Sequence, residues 1–212
     1  NDGEKQIQKM VREYVNSKIL PNVSKWWENE TIPSNLIEEF GNLGLFGANL
    51  LTPYGTAGIS NVAYGLMMYE LERADSGFRS LASVQGSLVM YPILTYGSKE
   101  QQLKYLPSMA SGKVLGCFGL TEHEGGSDPG GMRTTARKDG DSYVLNGIKM
   151  WITNGSIAEI AIIWAKDQDG KIRGFLVPTD SSGFSVRKIP QKMSLRLSVT
   201  SELIMDNVRI PT

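Results

Sequence analysis

A chain of 212 residues can form one large domain or two small ones, and it is long enough to bury a real core. Its 22 basic and 22 acidic side chains cancel, and no basic run stands out, which removes the electrostatic case for nucleic acid or an anionic membrane. One cysteine, Cys117, and one histidine, His123, exclude an internal disulfide and a zinc constellation, and no apolar run approaches the length of a membrane span.

The first half reads helical. Ile7, Met10, Val11, Val15, Ile19 and Leu20 recur at helical spacing until Pro21. Trp26-Trp27 falls in a short polar connector, with one ring expected to cover the core edge. A second helix opens at Pro33-Ser34, carries Leu36, Ile37, Phe40 and Leu43, and stops at Gly44. The following Pro53-Tyr54-Gly55-Thr56-Ala57-Gly58 reads as a surface loop, since no Lys follows in P-loop order. Ser60 can cap a third helix to about Ala74, with Glu70, Glu72 and Arg73 expected to face water. A fourth, from about Gly77 to Tyr96, is apolar on most sides and so is expected to be buried, with Pro92 kinking or restarting it. Ser98-Lys99-Glu100-Gln101 is a capping-box pattern that starts a fifth helix.

After Lys113 the pattern changes to short runs at 115–120, 133–138, 143–146, 148–153, 160–165, 173–177, 184–188 and 203–208. The Asp139-Gly140 and Asn146-Gly147 pairs between them are hairpin signals. The expected fold class is α+β: an all-α domain over 1–113, then an all-β, barrel-like domain over 114–212. An all-β second half also excludes a Rossmann dinucleotide site. The N-terminus shows no apolar signal core. Ile210-Pro211-Thr212 closes straight after a strand-like run, as a cut or processed end would.

Two stretches carry the candidate chemistry. One runs Cys117-Phe118-Gly119-Leu120-Thr121-Glu122-His123-Glu124-Gly125-Gly126-Ser127-Asp128; the other runs Gly147-Ile148-Lys149-Met150-Trp151-Ile152-Thr153-Asn154-Gly155. In a plain reading the first is a strand entering a Gly-rich turn, and the second a strand ending in an Asn-Gly turn. Thr153 then bonds its own turn, and Trp151 is a core tryptophan. In a functional reading they form one site, with glycines bringing backbone N–H groups close to a ligand, hydroxyls of Thr121, Ser127 and Thr153 as donors, and Trp151 as a flat face. Arg79-Ser80 is a third feature, because an Arg at the mouth of an apolar helix needs a partner. That partner is Asp75, Glu72 or water in the plain reading.

Together, the "GLTE…GGSD" and "WITNG" segments resemble the two flavin-contacting segments of the acyl-CoA dehydrogenase family, most closely its glutaryl-CoA branch. The resemblance implies FAD as cofactor. It implies that Phe118, Gly119, Leu120, Thr121, Gly126 and Ser127 line the ring and pyrophosphate, with Leu120 and Thr121 nearest the pyrimidine. Trp151, Ile152 and Thr153 line the other part, with Thr153 able to donate to N5. It places Arg79, Ser80 and Ser127 at the substrate, where an Arg-Ser pair holds the distal carboxylate of a dicarboxylyl thioester; an Arg fork suits that task. His123 stands where the family usually has Pro, and it reads as a solvent-side variation.

The resemblance covers the family's N-terminal helical and middle β domains. The family's catalytic base lies in a C-terminal helical domain outside these 212 residues, so no catalytic acid or base is assigned; Glu122, Glu124 and Asp128 do not match it. The activity implied is α,β-dehydrogenation of a short acyl-CoA, glutaryl-CoA first, with decarboxylation to crotonyl-CoA. The alternatives are a short-chain acyl-CoA dehydrogenase or oxidase of other specificity, or a truncated fragment that only binds ligand. The partners implied are an electron-transfer flavoprotein and, for the full-length family member, copies of itself in a tetramer. The location implied is cytoplasmic in a bacterium or the mitochondrial matrix in a eukaryote.

Overall fold

The computed structural model describes residues 1–212 and divides into two compact units. The first comprises Asn1–Val114 with Pro190–Val199, and the second Leu115–Ile189 with Thr200–Thr212. The segment Pro190–Val199 thus groups with the helices, although the sequence reading placed it in the β half. Leu197 shows why: a Cβ on Gly77 would come within 2.6 Å of its backbone carbon, so this segment lies flat against a helix.

In the helical unit, α1 (Asp2–Tyr14) is followed by α2 (Val23–Asn29), α3 (Ser34–Asn42), α4 (Asn61–Ala74), α5 (Ser76–Ser83), α6 (Tyr91–Tyr96) and α7 (Lys99–Ala110). Ser60 caps α4 by accepting from the Ala63 N–H, and Ser98 forms the expected capping box with Gln101 on α7. The Trp26-Trp27 connector is itself a helix, α2, ended by Glu30 in the left-handed conformation. Its indoles find tertiary partners: Trp26 meets Phe78 edge-on at 6.1 Å, and Arg196 stacks over Trp27 at 4.5 Å.

The apolar run from Gly77 is buried at Phe78, Leu81, Ala82, Val84, Val89, Met90 and Ile93, whereas Leu88, Tyr91 and Tyr96 are exposed, and it is not one α-helix. Val84–Met90 widens into π turns before α6, which carries Pro92 near its start. A proline lacks the N–H that would bond back one turn, so the ladder has to rearrange just ahead of it. Phe78, Leu81, Ala82, Val89 and Met90 are fully enclosed, each large side chain contributing roughly 1.5–3 kcal/mol of burial. Glu70 overturns one expectation: instead of facing water it has no exposed surface. Gln8, Arg12 and Arg73 all donate to its carboxylate, so it ties α1 to α4.

The second unit is a seven-stranded mixed sheet in the order β1-β4-β2-β3-β7-β6, with β5 on the other edge of β4. Its strands are β1 (Gly116–Gly119), β2 (Thr135–Asp139), β3 (Ser142–Thr153), β4 (Ile160–Asp167), β5 (Ile172–Pro178), β6 (Phe184–Lys188) and β7 (Thr200–Pro211). β1 and β2 run parallel to β4, and the other pairings are antiparallel. The sheet curls around one core that includes Cys117, Leu145, Ile152, Ile163, Phe175 and Leu203.

The expected turn at Asn146-Gly147 is absent. β3 continues through it, with a register shift against β7 between Leu145 and Gly147. Gly147 has φ 148°, and a Cβ there would lie 2.5 Å from the Thr134 hydroxyl, so the pair bends a strand rather than reversing it. No helix is long and apolar enough to cross a membrane.

Candidate functional site

β3 makes the site possible through a second irregularity. Its pairing with β7 breaks between Lys149 and Ile152. Within the break, the Met150 N–H turns away from β7 and donates to the Thr121 carbonyl at 2.8 Å. That bond joins the two stretches singled out in the sequence. The bulge also puts Trp151 in the left-handed region, with φ 63°, and swings its indole outward to 56% exposure. A non-glycine residue held there costs on the order of 1–3 kcal/mol and persists only where its surroundings hold it.

The other expected residues fall into three groups. Leu120, Thr121 and Thr153 are half-buried. Gly126 and Ser127 are exposed in the turn, where a Cβ on Gly126 would meet nothing within 4 Å. Gly119 and Ile152 lie deeper, and Phe118 is half-buried like the first group. Ile152 is 3% exposed and belongs to the sheet core, so only its backbone can face a ligand. Phe118 packs edge-on against Trp164 at 6.0 Å. Gly119 leaves room for its neighbours: a Cβ would sit 2.7 Å from Ile163 Cδ1 and 3.2 Å from Lys149 Cγ.

Lys149 is the residue that sequence reading passed over. Its side chain has no exposed surface. It sits opposite the buried Leu203 on β7, and counting by twos from buried Leu145 through Gly147 reaches it, so strand alternation carries it inward. Its Nζ donates to the Leu120 carbonyl at 3.1 Å and to Glu122 Oε1 at 2.8 Å.

Glu122 takes three further bonds, from the Arg133 N–H at 2.6 Å, the Thr134 N–H at 3.0 Å and the Thr134 hydroxyl at 2.5 Å. Burial alone would raise its pKa; the Lys149 ammonium and the other donors outweigh that and hold it at about 2. Burial lowers the Lys149 pKa, and Glu122 opposes that shift. The carboxylate's direction governs the pair, because four donors converge on it. With four donors stabilising its charged form and its pKa held low, Glu122 is unsuited to act as a base.

A second anchor lies on the same loop. His123 Nε2 is 2.8 Å from Glu202 Oε1 on β7, and the nearly enclosed Glu202 is also paired with Arg187. His123 is therefore more than a solvent-side variation: its imidazole ties the loop to the sheet.

In the helical unit, Asp75 ends α4 and caps α5, accepting from the Gly77 N–H at 2.7 Å. Glu72, on the last turn of α4, is the partner of Arg79, with Nε to Oε2 at 2.8 Å. It also accepts from the Ser76 hydroxyl at 2.5 Å. Arg79 remains 37% exposed, and Ser80 beside it is half-buried. No group of three or more His, Cys, Asp or Glu side chains is placed to hold a metal.

In the sheet unit, an exposed indole on a left-handed backbone, an open Gly-Ser turn and a loop with its carbonyls drawn inward fit a flat, hydrogen-bonding heterocycle such as a flavin. Residues 1–113 match the model of the acyl-CoA dehydrogenase N-terminal domain, and residues 117–208 match that of the acyl-CoA dehydrogenase middle domain. The chain belongs to the acyl-CoA dehydrogenase family.

It is 40% identical over 209 residues to an acyl-CoA dehydrogenase of Bacillus subtilis, covering 97% of this chain and 55% of that protein. It is 36% identical over 204 residues to the mitochondrial short-chain specific acyl-CoA dehydrogenase of Homo sapiens, covering 94% and 50%. Among solved structures, a glutaryl-CoA dehydrogenase from Mycobacterium smegmatis in complex with FADH2 superposes with a TM-score of 0.97 at 55% identity, covering all of this chain and 54% of that one. The chain spans about half the length of the curated relatives it matches.

Proposed function

We propose that this chain supplies the flavin-binding and acyl-recognition portions of an FAD-dependent acyl-CoA dehydrogenase acting on glutaryl-CoA. FAD, when bound, supplies the hydride acceptor. The chain's own part is to hold that ring with Trp151, Thr153 and the backbone of 118–121, and to seat the turn at Gly126-Ser127 beside it. The base that takes the α-proton is assigned to none of these residues, so the reading implies that the 212 residues alone do not turn over. Decarboxylation to crotonyl-CoA, transfer of electrons to an electron-transfer flavoprotein, a tetrameric assembly and a cytoplasmic or matrix location belong to the same reading.

The observation that carries the substrate choice is Arg79. Its guanidinium is held in a defined direction by Glu72 yet stays partly open. A cation at the first turns of an apolar helix suits a distal carboxylate better than an alkyl tail. The 55% identity to a glutaryl-CoA dehydrogenase supports the same choice.

The test compares glutaryl-CoA with butyryl-CoA in the full-length enzyme that carries this chain and in its Arg79→Ala variant. The ratio of their kcat/KM values should fall at least about ten-fold in the variant, the loss expected for a charged hydrogen-bonded pair. A wild-type enzyme that prefers butyryl-CoA, or a ratio indifferent to Arg79→Ala, would sink the glutaryl reading and favour a short-chain enzyme like the human relative.

A further inference from the structure

A lysine with no exposed surface is an expensive occupant of a sheet interior, where an apolar side chain would pack without needing a partner. Lys149 nevertheless holds the centre of the second unit, and two glycine-dependent features make room for it. Its stem runs past Gly119, where a Cβ would crowd it, and β3 bends at Gly147 two residues before it. The ammonium then ends between the Leu120 carbonyl and Glu122. Glu122 carries the connection onward to the backbone of Arg133 and Thr134 at the entry to β2. One buried cation therefore ties the end of β1, the loop after it and the approach to β2 onto β3.

The consequence lies in peptide geometry. A trans peptide is planar, and its carbonyl and N–H point in opposite directions. Drawing the Leu120 carbonyl onto the ammonium inside the sheet turns the Thr121 N–H the other way. The next carbonyl, that of Thr121, is turned toward β3 as well, by the Met150 N–H.

We infer that Lys149 is a positioning residue for the cofactor: by holding the Leu120 carbonyl and Glu122 it aims the Thr121 N–H at the flavin. The inference rests on the FAD reading above. It assigns Lys149 no contact with substrate or flavin. A preorganised donor keeps its direction when negative charge develops on the ring, and a loop free to turn would not.

The experiment titrates FAD into the full-length apoprotein that carries this chain, as wild type, Lys149→Met and the double variant K149M/E122Q, following flavin fluorescence, the visible spectrum and the midpoint potential. Thermal melts are run alongside. The double variant removes the carboxylate charge that the single one strands, so it keeps the test open if Lys149→Met fails to fold. Both variants should bind FAD about ten-fold more weakly than wild type, the loss expected for one charged hydrogen bond. Their flavin spectrum and potential should shift together.

A folded double variant with wild-type Kd, spectrum and potential overturns the inference, even if its melting temperature falls, because the role would then be structural only. Wild-type protein that takes up no FAD overturns the cofactor reading and this inference with it. FAD uptake by wild type with unchanged variants overturns the inference alone.

Discussion

Two acid–base pairs, one in each unit, use similar chemistry to different ends. Glu122–Lys149 is enclosed in the sheet, with Lys149 fully buried and Glu122 10% exposed. Glu72–Arg79 lies at the junction of α4 and α5, with the two side chains 45% and 37% exposed. Burial makes the first pair a fixture: each charge has lost water, so neither can leave without stranding the other. Exposure makes the second pair exchangeable, since water or another carboxylate can replace Glu72 at modest cost. A backbone-positioning role suits the fixture. A role in receiving an anionic group suits the exchangeable pair.

The sharpest way to break this comparison is Lys149→Met. Leaving Glu122 buried and unpaired should cost about 3–5 kcal/mol in urea denaturation. The double variant K149M/E122Q should recover most of that loss. A cost below about 1 kcal/mol for the single variant would mean that the pair is no more than a surface contact.

Acid titration gives the next largest effect. The Glu122 pKa is lowered on folding, to about 2 from an ordinary value near 4.5. Its contribution is therefore present above the unfolded value and is lost as pH falls from about 4.5 through about 2. It amounts to about 3 kcal/mol. Urea midpoints measured across that window should fall in the wild type and fall less steeply in Glu122→Gln, since Glu70 and Glu72 are lowered too. Equal slopes in both would remove Glu122 as the cause.

Gly119→Ala should cost roughly 1–3 kcal/mol by calorimetry, because the new Cβ presses on Ile163 and the Lys149 stem. The smallest effect belongs to the exposed pair. Arg79→Ala should change stability by less than about 1 kcal/mol in urea. A larger loss would show Arg79 to be a structural tie rather than an available cation.

Cys117 offers an independent check on the sheet core. Burial pushes its thiol pKa up to about 12, so a thiol reagent at neutral pH should label it only as the protein unfolds. Fast labelling of native protein would contradict the packing described around β1.

Local signals were legible where the deciding interaction lies within a few residues. Ser60 and Ser98 cap the helices they were expected to cap, because a cap bond reaches three residues. The change from helix to strand after Lys113 also reads directly from the period of the apolar residues. The candidate site was legible as two Gly-rich, hydroxyl-bearing stretches, and the Met150–Thr121 bond joins them. The misreadings share a cause. Trp26-Trp27 read as a connector rather than a helix because the partners that fix it, Phe78 and Arg196, lie far along the chain; only the placing of one ring at the core edge was legible. Asn146-Gly147 read as a turn because its dipeptide chemistry is the same in a hairpin and in a bulge; Thr134 and β7 decide which forms.

The sequence by itself determined the segregation of helices from strands, the helix caps and the family motifs, since each is written in residues near one another. Only the tertiary structure decided where the charges went. Glu70 is enclosed through Arg12, 58 residues away, and Lys149 through Glu122, 27 residues away. A charged side chain is buried only when its partner arrives, and distant partners are brought together by the fold rather than by spacing along the chain.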